Sequence, residues 1–488
     1  MSKVVQNVEC EVLIAGGGTS GCMAAINAYD LGADVLIAEK LPSLGGNCPL
    51  TGGNIMTPTD MKFVDYLNTL AFKTVDPEII EVFVKEALHN ADWIREMGGD
   101  VITYAPLQVT FPQFGIKGAG FPWVPGAEYM VKLNVKEKEG EQLPPGLRLW
   151  NLVKENLEHR KIKTMTNTRV TEIAKNEKGE VVGAIAEHEG KWIFIKAKKA
   201  VVLTTGGYGN DPTTRWEYYA CKPVTYLGSP GDTGDGVRMA QNVGAGLWHM
   251  TNMVCAIGFQ APGYEASFPV AFYTPELIFV DKYGRRFMRE TGIDDHAYDR
   301  AFAYFDIDSI EFPRLPSWAI FTERTRRMGP LYSGTIGANR ELYEWSDDNS
   351  AEIKRGWIIQ AKSIDDLAKK ISVDESILVN TIATYNEYCK AGKDADFGRP
   401  KEHLMPIEGP PYYAIPVMPA IFCTQGGPRR DKEARVLDVD GNPIPRLYAA
   451  GVLGSITGFL YQGASNLAEC IVFGKIAARN AVAEKSLD

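Results

Sequence analysis

The stretch "EVLIAGGGTSGCMAAINAYDLGA", residues 11–33, decides the fold of this chain. Its first five residues form an apolar run of strand type. Gly16-Gly17-Gly18-Thr19-Ser20-Gly21 then reads G-x-G-x-x-G, and the rest carries helical spacing. A strand, a glycine turn and a helix in that order make the dinucleotide fingerprint. Gly16, Gly18 and Gly21 let the backbone come close to a pyrophosphate, whose charge sits on the helix N-terminus beside Thr19 and Ser20. A second strand, DVLIAEK (34–40), ends in Glu39 and Lys40. Glu39 lies about 20 positions past the glycines, where an acidic residue suits a ribose hydroxyl pair.

Fingerprints of this kind serve both NAD and FAD, so the segments farther along decide between them. Directly after Lys40 comes LPSLGGNCPLTGGNI (41–55), a second glycine-rich loop with Gly45-Gly46-Asn47 and Thr51-Gly52-Gly53. KKAVVLTTGGYGND (198–211) is an apolar strand ending in Thr205-Gly206-Gly207. TGDGVRMAQNVGA (233–245) opens a helix at Asp235, and RLYAAGVLG (446–454) is one more strand running into glycines, Gly451 among them. Several glycine-ended strands, far apart in sequence but closing on one ligand, fit FAD better than NAD.

Composition sets the outer limits. A chain of 488 residues is too long for one ordinary core and points to two domains, or one large domain with an insertion. The formal net charge of −9, with no concentrated basic face, argues against a nucleic-acid partner. No apolar run is long enough for a membrane span, and the N-terminal segment reads straight into a strand without a signal region, so a cytoplasmic location is expected. The eight cysteines are scattered without a C-x-x-C pair, and the six histidines form no ligand-spaced cluster. Disulfides, haem attachment and a metal site are therefore not expected.

Taken together, GGGTSG, the SLGGN…TGG loop, VVLTTGGYGND, TGDG, VDKYGRRFMRE (280–290), TYNEYCKAGKDADFGRP (384–400), PYYAIPVMPAIFCTQGG (411–427) and GASNLAECIVFGKIAARNA (463–481) span nearly the whole chain. In these pieces and their order the chain resembles the flavoprotein subunits of fumarate reductase and succinate dehydrogenase, together with the 3-ketosteroid dehydrogenases. The resemblance implies an α/β fold: a Rossmann-type FAD-binding domain (1–255 and 421–488) interrupted by an α+β capping domain (256–420). The cap reads as an edge strand in ELIFVDKYG and helices in SIDDLAKKISV and ESILVNTIATYNEYCKAG. Residues 104–150 read as a long loop without periodicity. Its aromatics Phe114, Phe121 and Trp123 are candidates for an apolar substrate entrance, with plain packing an equal alternative.

The resemblance also implies where the chemistry lies. In the family, the helix beginning near Gly463-Ala464-Ser465-Asn466-Leu467 directs its N-terminal amides at the flavin pyrimidine ring, leaving Tyr461 and Gln462 on the substrate side. Fumarate-reducing relatives place an arginine four residues after the glutamate of RF-x-x-E. Here that glutamate is Glu290 and the fourth residue on is Asp294. A second family arginine falls at Gln462, and paired histidines fall at Phe422-Cys423. All three departures remove positive charge, and a dicarboxylate without cations is costly to desolvate.

Tyr461 and Tyr298 fall near the tyrosines of the ketosteroid branch, where a phenol can hydrogen-bond a carbonyl as it becomes enolate-like. Asp294 and His296 form a candidate proton relay, and Arg300 a replacement for the missing arginine or a partner of Asp299 or Glu290. His249 reads as a satisfied core histidine, so the FAD is expected to be non-covalent. The leading expectation is a desaturase or ene-reductase of a cyclic or 3-ketosteroid-like ketone, drawing on an external electron donor or acceptor. A reductase of an unsaturated carboxylate, with Arg289, Arg300, Arg429 or Arg430 as clamps, and a flavin electron-transfer subunit remain open beside it.

Overall fold

The computed structural model describes residues 6–104, 119–292, 294–334 and 336–487. Two sheets organise the chain. The first places five parallel strands side by side: Pro443–Ala449, Lys191–Leu203, Gln6–Ala15, Val35–Ala38 and Lys163–Met165. An antiparallel strand, Arg435–Leu437, borders Pro443–Ala449, and the hairpin Thr168–Lys175/Val181–His188 pairs onto Lys191–Leu203. The central strands are nearly continuous apolar runs because both faces are covered, one by helices Thr19–Asp30 and Ser465–Ala483 and the other by the hairpin Thr168–Lys175/Val181–His188 with helix Asp235–Asn242, and Val12–Ala15, Val35–Ala38 and Val201–Leu203 are all buried.

Register brings the carboxyl ends of these strands to one level. Ala15 pairs with Ala38 and with Leu203, Leu203 pairs with Ala449, and Ala38 pairs with Met165. Gly16, Glu39, Thr204 and Ala450, each one residue past the end of its strand, therefore converge on one crevice, the place where open parallel sheets bind ligands. Helix Thr19–Asp30 leaves this edge and packs against Ser465–Ala483. The two approach closely because Gly474 has no side chain: a Cβ there would lie 2.8 Å from Met23 Cβ.

The second sheet runs Phe268–Pro269, Met253–Phe259, Tyr412–Thr424, Ser317–Thr322, Ile278–Val280, with Thr225–Tyr226 and Ile359–Ala361 also pairing to Tyr412–Thr424. Its members extend outside residues 256–420 on both sides, since strand Met253–Phe259 straddles the first boundary and Tyr412–Thr424 the second. Ile278–Val280 forms one edge of this sheet, and the helices Ile364–Ile371 and Glu375–Ala391 cover it. Each helix has its sequence-encoded N-cap, Ser363 and Asp374 accepting from Asp366 and Ile377 backbone N–H groups, and Gly392 closes the second in a left-handed conformation.

The stretch 104–150 departs from the expected loop. Met130–Val135 is the central strand of a third, three-stranded sheet with Ile55–Pro58 and Val101–Tyr104, and helix Pro145–His159 begins before the stretch ends. The strand was hidden because its burial does not alternate: Leu133, Asn134 and Val135 are all covered. Phe121 is buried and meets Trp123 edge-on at 5.9 Å, whereas Trp123 is 62% exposed. Neither lines the central cavity, so packing rather than an entrance accounts for Phe121. Phe114 lies outside the described residues.

Candidate active site

A cavity of about 410 Å³ runs from the glycine crevice to the second sheet. At the crevice end it is walled by the fingerprint. Gly16 has φ +106°, and a Cβ there would lie 2.5 Å from Thr204 O, so only glycine permits the turn. A Cβ on Gly21 would fall 2.0 Å from Gly16 O, so this glycine lets helix Thr19–Asp30 lie against the strand before it. Glu39 accepts from the Gly17 N–H at 2.7 Å and the Leu41 N–H at 2.8 Å, which fixes its carboxylate at the cavity wall.

Beside it, Asp235 gathers Lys40 at 3.0 Å, Arg169 at 2.7 Å and Arg238 at 2.6 Å. Burial works to raise this carboxyl, but the hydrogen bond from Arg169 and the charge of Lys40 outweigh it and hold it at about 2. Asn47 donates to Asp232 at 2.9 Å and accepts from the Ser229 N–H at 2.6 Å, tying the second glycine loop to the crevice. Burial, opposed by hydrogen bonds from Tyr226 and Asn47, raises the Asp232 carboxyl.

Of the residues expected to hold the cofactor, Gly16, Gly18, Thr19, Ser20, Glu39, Lys40, Gly46, Asn47, Thr51, Gly52, Gly53, Thr205, Gly206, Asp235, Asn466 and Leu467 line this cavity. Gly21, Gly45, Gly207, Gly451 and Ser465 stand just behind it. Gly207, for example, packs on the second sheet, where a Cβ would lie 1.9 Å from Thr424 Oγ1. The cavity fits FAD on its own chemistry. The buried hydroxyls of Ser20 and Thr205 face it with no hydrogen-bond partner, and helix Thr19–Asp30 has no acidic residue in its first turn to compete with a phosphate.

At the other end the cavity meets the second sheet and the segment 290–298. Asp294 Oδ1 lies 2.6 Å from His296 Nδ1 and also accepts from the His296 backbone N–H at 3.0 Å. The His296 ring lies 5.1 Å from the Tyr461 ring. Tyr461 is buried, its oxygen meets the Asn466 backbone N–H and the Ser465 hydroxyl, and burial pushes its phenol far up, so it stays protonated. Tyr298 also lines the wall, its hydroxyl donating to Glu290 O at 2.5 Å. Val254, Ile257, Phe272, Phe279 and Phe422 add apolar lining, with Val254 and Phe422 in one packed cluster with Tyr461.

Arg300 stands off this wall. Its Nη2 donates to Asn252 Oδ1 and Phe459 O, both at 3.0 Å, its Nε lies 3.6 Å from Asp299, and its guanidinium covers the Phe459 ring at 4.6 Å. Glu290 is held instead by Arg286 at 2.8 Å and Arg399 at 3.3 Å. Arg289, Arg429 and Arg430 do not line the cavity either, and Arg430 is wholly buried against Glu469. His249 is satisfied by Ser455 O at 2.7 Å and Thr74 O at 3.3 Å, and burial lowers its imidazole. Lys132, which no motif singles out, does line the cavity. Only a pairing of strand Met130–Val135 with the glycine-loop strand Ile55–Pro58 brings it there.

The profile of the FAD-binding domain family matches residues 11–467. The chain belongs to that family. This flavoprotein is an FAD-dependent oxidoreductase of the CH–CH class. In sequence it is similar to a probable fumarate reductase of Shewanella frigidimarina, 26% identical over 98% of this chain and 75% of that one. It is also similar to the urocanate reductase of Eggerthella lenta, 28% identical over 97% and 75%. In fold it matches the crystal structure of a 3-ketosteroid Δ1-dehydrogenase from Sterolibacterium denitrificans, with a TM-score of 0.83, 22% identity, and coverage of 98% of this chain and 100% of that one. Among the described residues, no helix of this flavoprotein is long and apolar enough to cross a membrane.

Proposed function

We propose that this flavoprotein interconverts a cyclic or 3-ketosteroid-like ketone and its α,β-unsaturated form. The observation that carries this reading is the cluster Asp294–His296–Tyr461 beside apolar lining, where two carboxylates would find one cation, Lys132, instead of a set of them. Bound FAD supplies the two-electron chemistry, taking or giving a hydride at N5.

The residues of the chain supply the rest. Tyr461, neutral at every working pH, donates a hydrogen bond to the carbonyl oxygen and so favours charge that develops there. His296, oriented by Asp294, takes or returns the proton on the carbon next to that carbonyl. Tyr298 has its proton committed to Glu290 O and shapes the wall beside them. The apolar face from Val254 to Phe422 excludes water and receives the ring system.

The domain division lies along the two sheets, with FAD on the first and the cap closing from the second. The cofactor is held without a covalent bond, a reading supported by His249 being occupied by two backbone carbonyls. Electrons come from, or go to, an external partner. The eight free cysteines, seven of them buried, fit a reducing, cytoplasmic setting.

One observation favours a second reading. Lys132 gives the cavity a cation, and a reductase of an unsaturated monocarboxylate would use it as an anchor. Presenting ring enones and unsaturated acids in turn to the reduced protein under anaerobic conditions tests one reading against the other.

A further inference from the structure

We propose that Lys132 receives the substrate's carbonyl oxygen and balances the negative charge that gathers on it. This rests on the ketone reading above and names a group that reading lacks. Lys132 lies on strand Met130–Val135, two residues before Asn134, so the two share a strand face. Asn134 reaches the second glycine loop, donating to Gly52 O at 3.3 Å, so this face is turned toward the cavity that Lys132 lines. A Cβ built on Gly463 would lie 3.7 Å from Lys132 Nζ and 3.6 Å from His296 Cε1. The ammonium and the imidazole therefore flank one point of the wall, next to Tyr461.

Charge accounting separates Lys132 from its neighbours. Lys40 and Arg169, the other lysine and arginine of the cavity lining, both direct their charge to Asp235. Among the described residues, no hydrogen bond or ion pair holds Lys132 Nζ. A half-buried ammonium without a partner in the protein is costly unless a ligand supplies its counter-charge. The point it faces lies next to the proton-handling pair. When the carbon beside the carbonyl gives its proton to His296, the electron pair left behind spreads onto the oxygen. Lys132 keeps its own protons and donates one hydrogen bond to that oxygen, and the proton returns from His296 to carbon in the reverse direction.

The test uses the FAD-loaded protein and its Lys132→Gln and Lys132→Arg variants. Calorimetry at pH 8 compares pentafluorophenolate, whose oxygen carries the charge, with pentafluoroanisole, which has the same ring and no charge. The native protein is expected to prefer the phenolate by at least about tenfold, the scale of a charge-assisted contact. Lys132→Gln should lose that preference and Lys132→Arg keep most of it, at unchanged flavin content. A native protein without the preference, or a Gln variant that keeps it, overturns the assignment.

Reoxidation of the reduced protein by cyclohex-2-enone separates the two claims. Equal rates in native protein and Lys132→Gln remove Lys132 and leave the ketone reading standing. No reaction in either, with a phenolate preference that still depends on Lys132, removes the ketone reading and leaves the lysine assigned.

Discussion

Asp294 Oδ1 sits 2.6 Å from His296 Nδ1, and the same imidazole is tilted 59° against the Tyr461 ring. A carboxylate that accepts from one imidazole nitrogen fixes the ring's tautomer and raises the basicity of the other. Removing either member should therefore act on proton transfer and leave the cofactor in place. His296→Ala and Asp294→Asn are expected to lower turnover by about 100-fold, in the usual range for a general acid–base group. Visible absorbance of the purified variants should show full flavin content. Loss of flavin in step with loss of activity would instead mark the pair as structural.

Gly120 sets the position of that carboxylate. A Cβ there would lie 1.9 Å from Asp294 Oδ2, while the Gly120 N–H donates to Gln462 Oε1 at 2.9 Å. Gly120→Ala should rotate Asp294 away from His296 and cost about 10-fold in turnover. The double variant Gly120→Ala/Asp294→Asn should give no loss beyond that of Asp294→Asn alone, because the two changes disable one contact. Additive losses would show that Gly120 acts elsewhere.

The Tyr461 phenol is tested by Tyr461→Phe, which removes one oxygen and keeps the ring against His296. Turnover of a ring enone should fall by about 100-fold, the cost of deleting one donor to a developing oxyanion. Steady-state kinetics should place most of that loss in kcat rather than in KM. Unchanged kcat would remove Tyr461 from the chemistry.

Asp299 offers a pH test that avoids activity altogether. Burial raises its carboxyl to about 6 from the ordinary 3.8, against the opposing charge of Arg300. A raised folded value means that the native state binds the proton more tightly than the unfolded chain. The stability it contributes is complete below about pH 3.8 and is lost as pH rises through about 6. Asp299→Asn should therefore stabilise the protein by about 3 kcal/mol at pH 8 and by little at pH 4. Thermal melts at the two pH values check this, and an equal shift at both would contradict it.

How far the sequence alone carries can be judged from these same residues. Gly16, Gly18, Glu39 and the glycine loops were legible because each needs a backbone geometry or a charge at fixed spacing in strand–turn–helix order. The adjacency of Asp294 and His296 was legible because two residues of separation keeps both on one turn. Lys132 was not legible, since its place depends on strand Met130–Val135 pairing with Ile55–Pro58, far earlier in the chain, where Lys132 comes to lie opposite Met56. Nothing local signals that pairing, because the strand's burial lacks the alternation of a half-exposed sheet. Arg300 was open between a substrate role and a partner within the cap. Its contact to the adjacent Asp299 was one of the alternatives the sequence offered, whereas those to Asn252 and Phe459 depend on packing against the segment before the last helix, which no spacing encodes.

The most direct test of the central claim is anaerobic reoxidation of the reduced flavoprotein, monitored by recovery of the flavin absorbance. A 3-ketosteroid enone or cyclohexenone should restore the oxidised spectrum rapidly, and fumarate should not, since Asp294, Phe422 and Cys423 put no cation on their part of the cavity wall and Lys132 alone cannot pair with two carboxylates. Rapid reoxidation by fumarate with no response to ring enones would contradict the account.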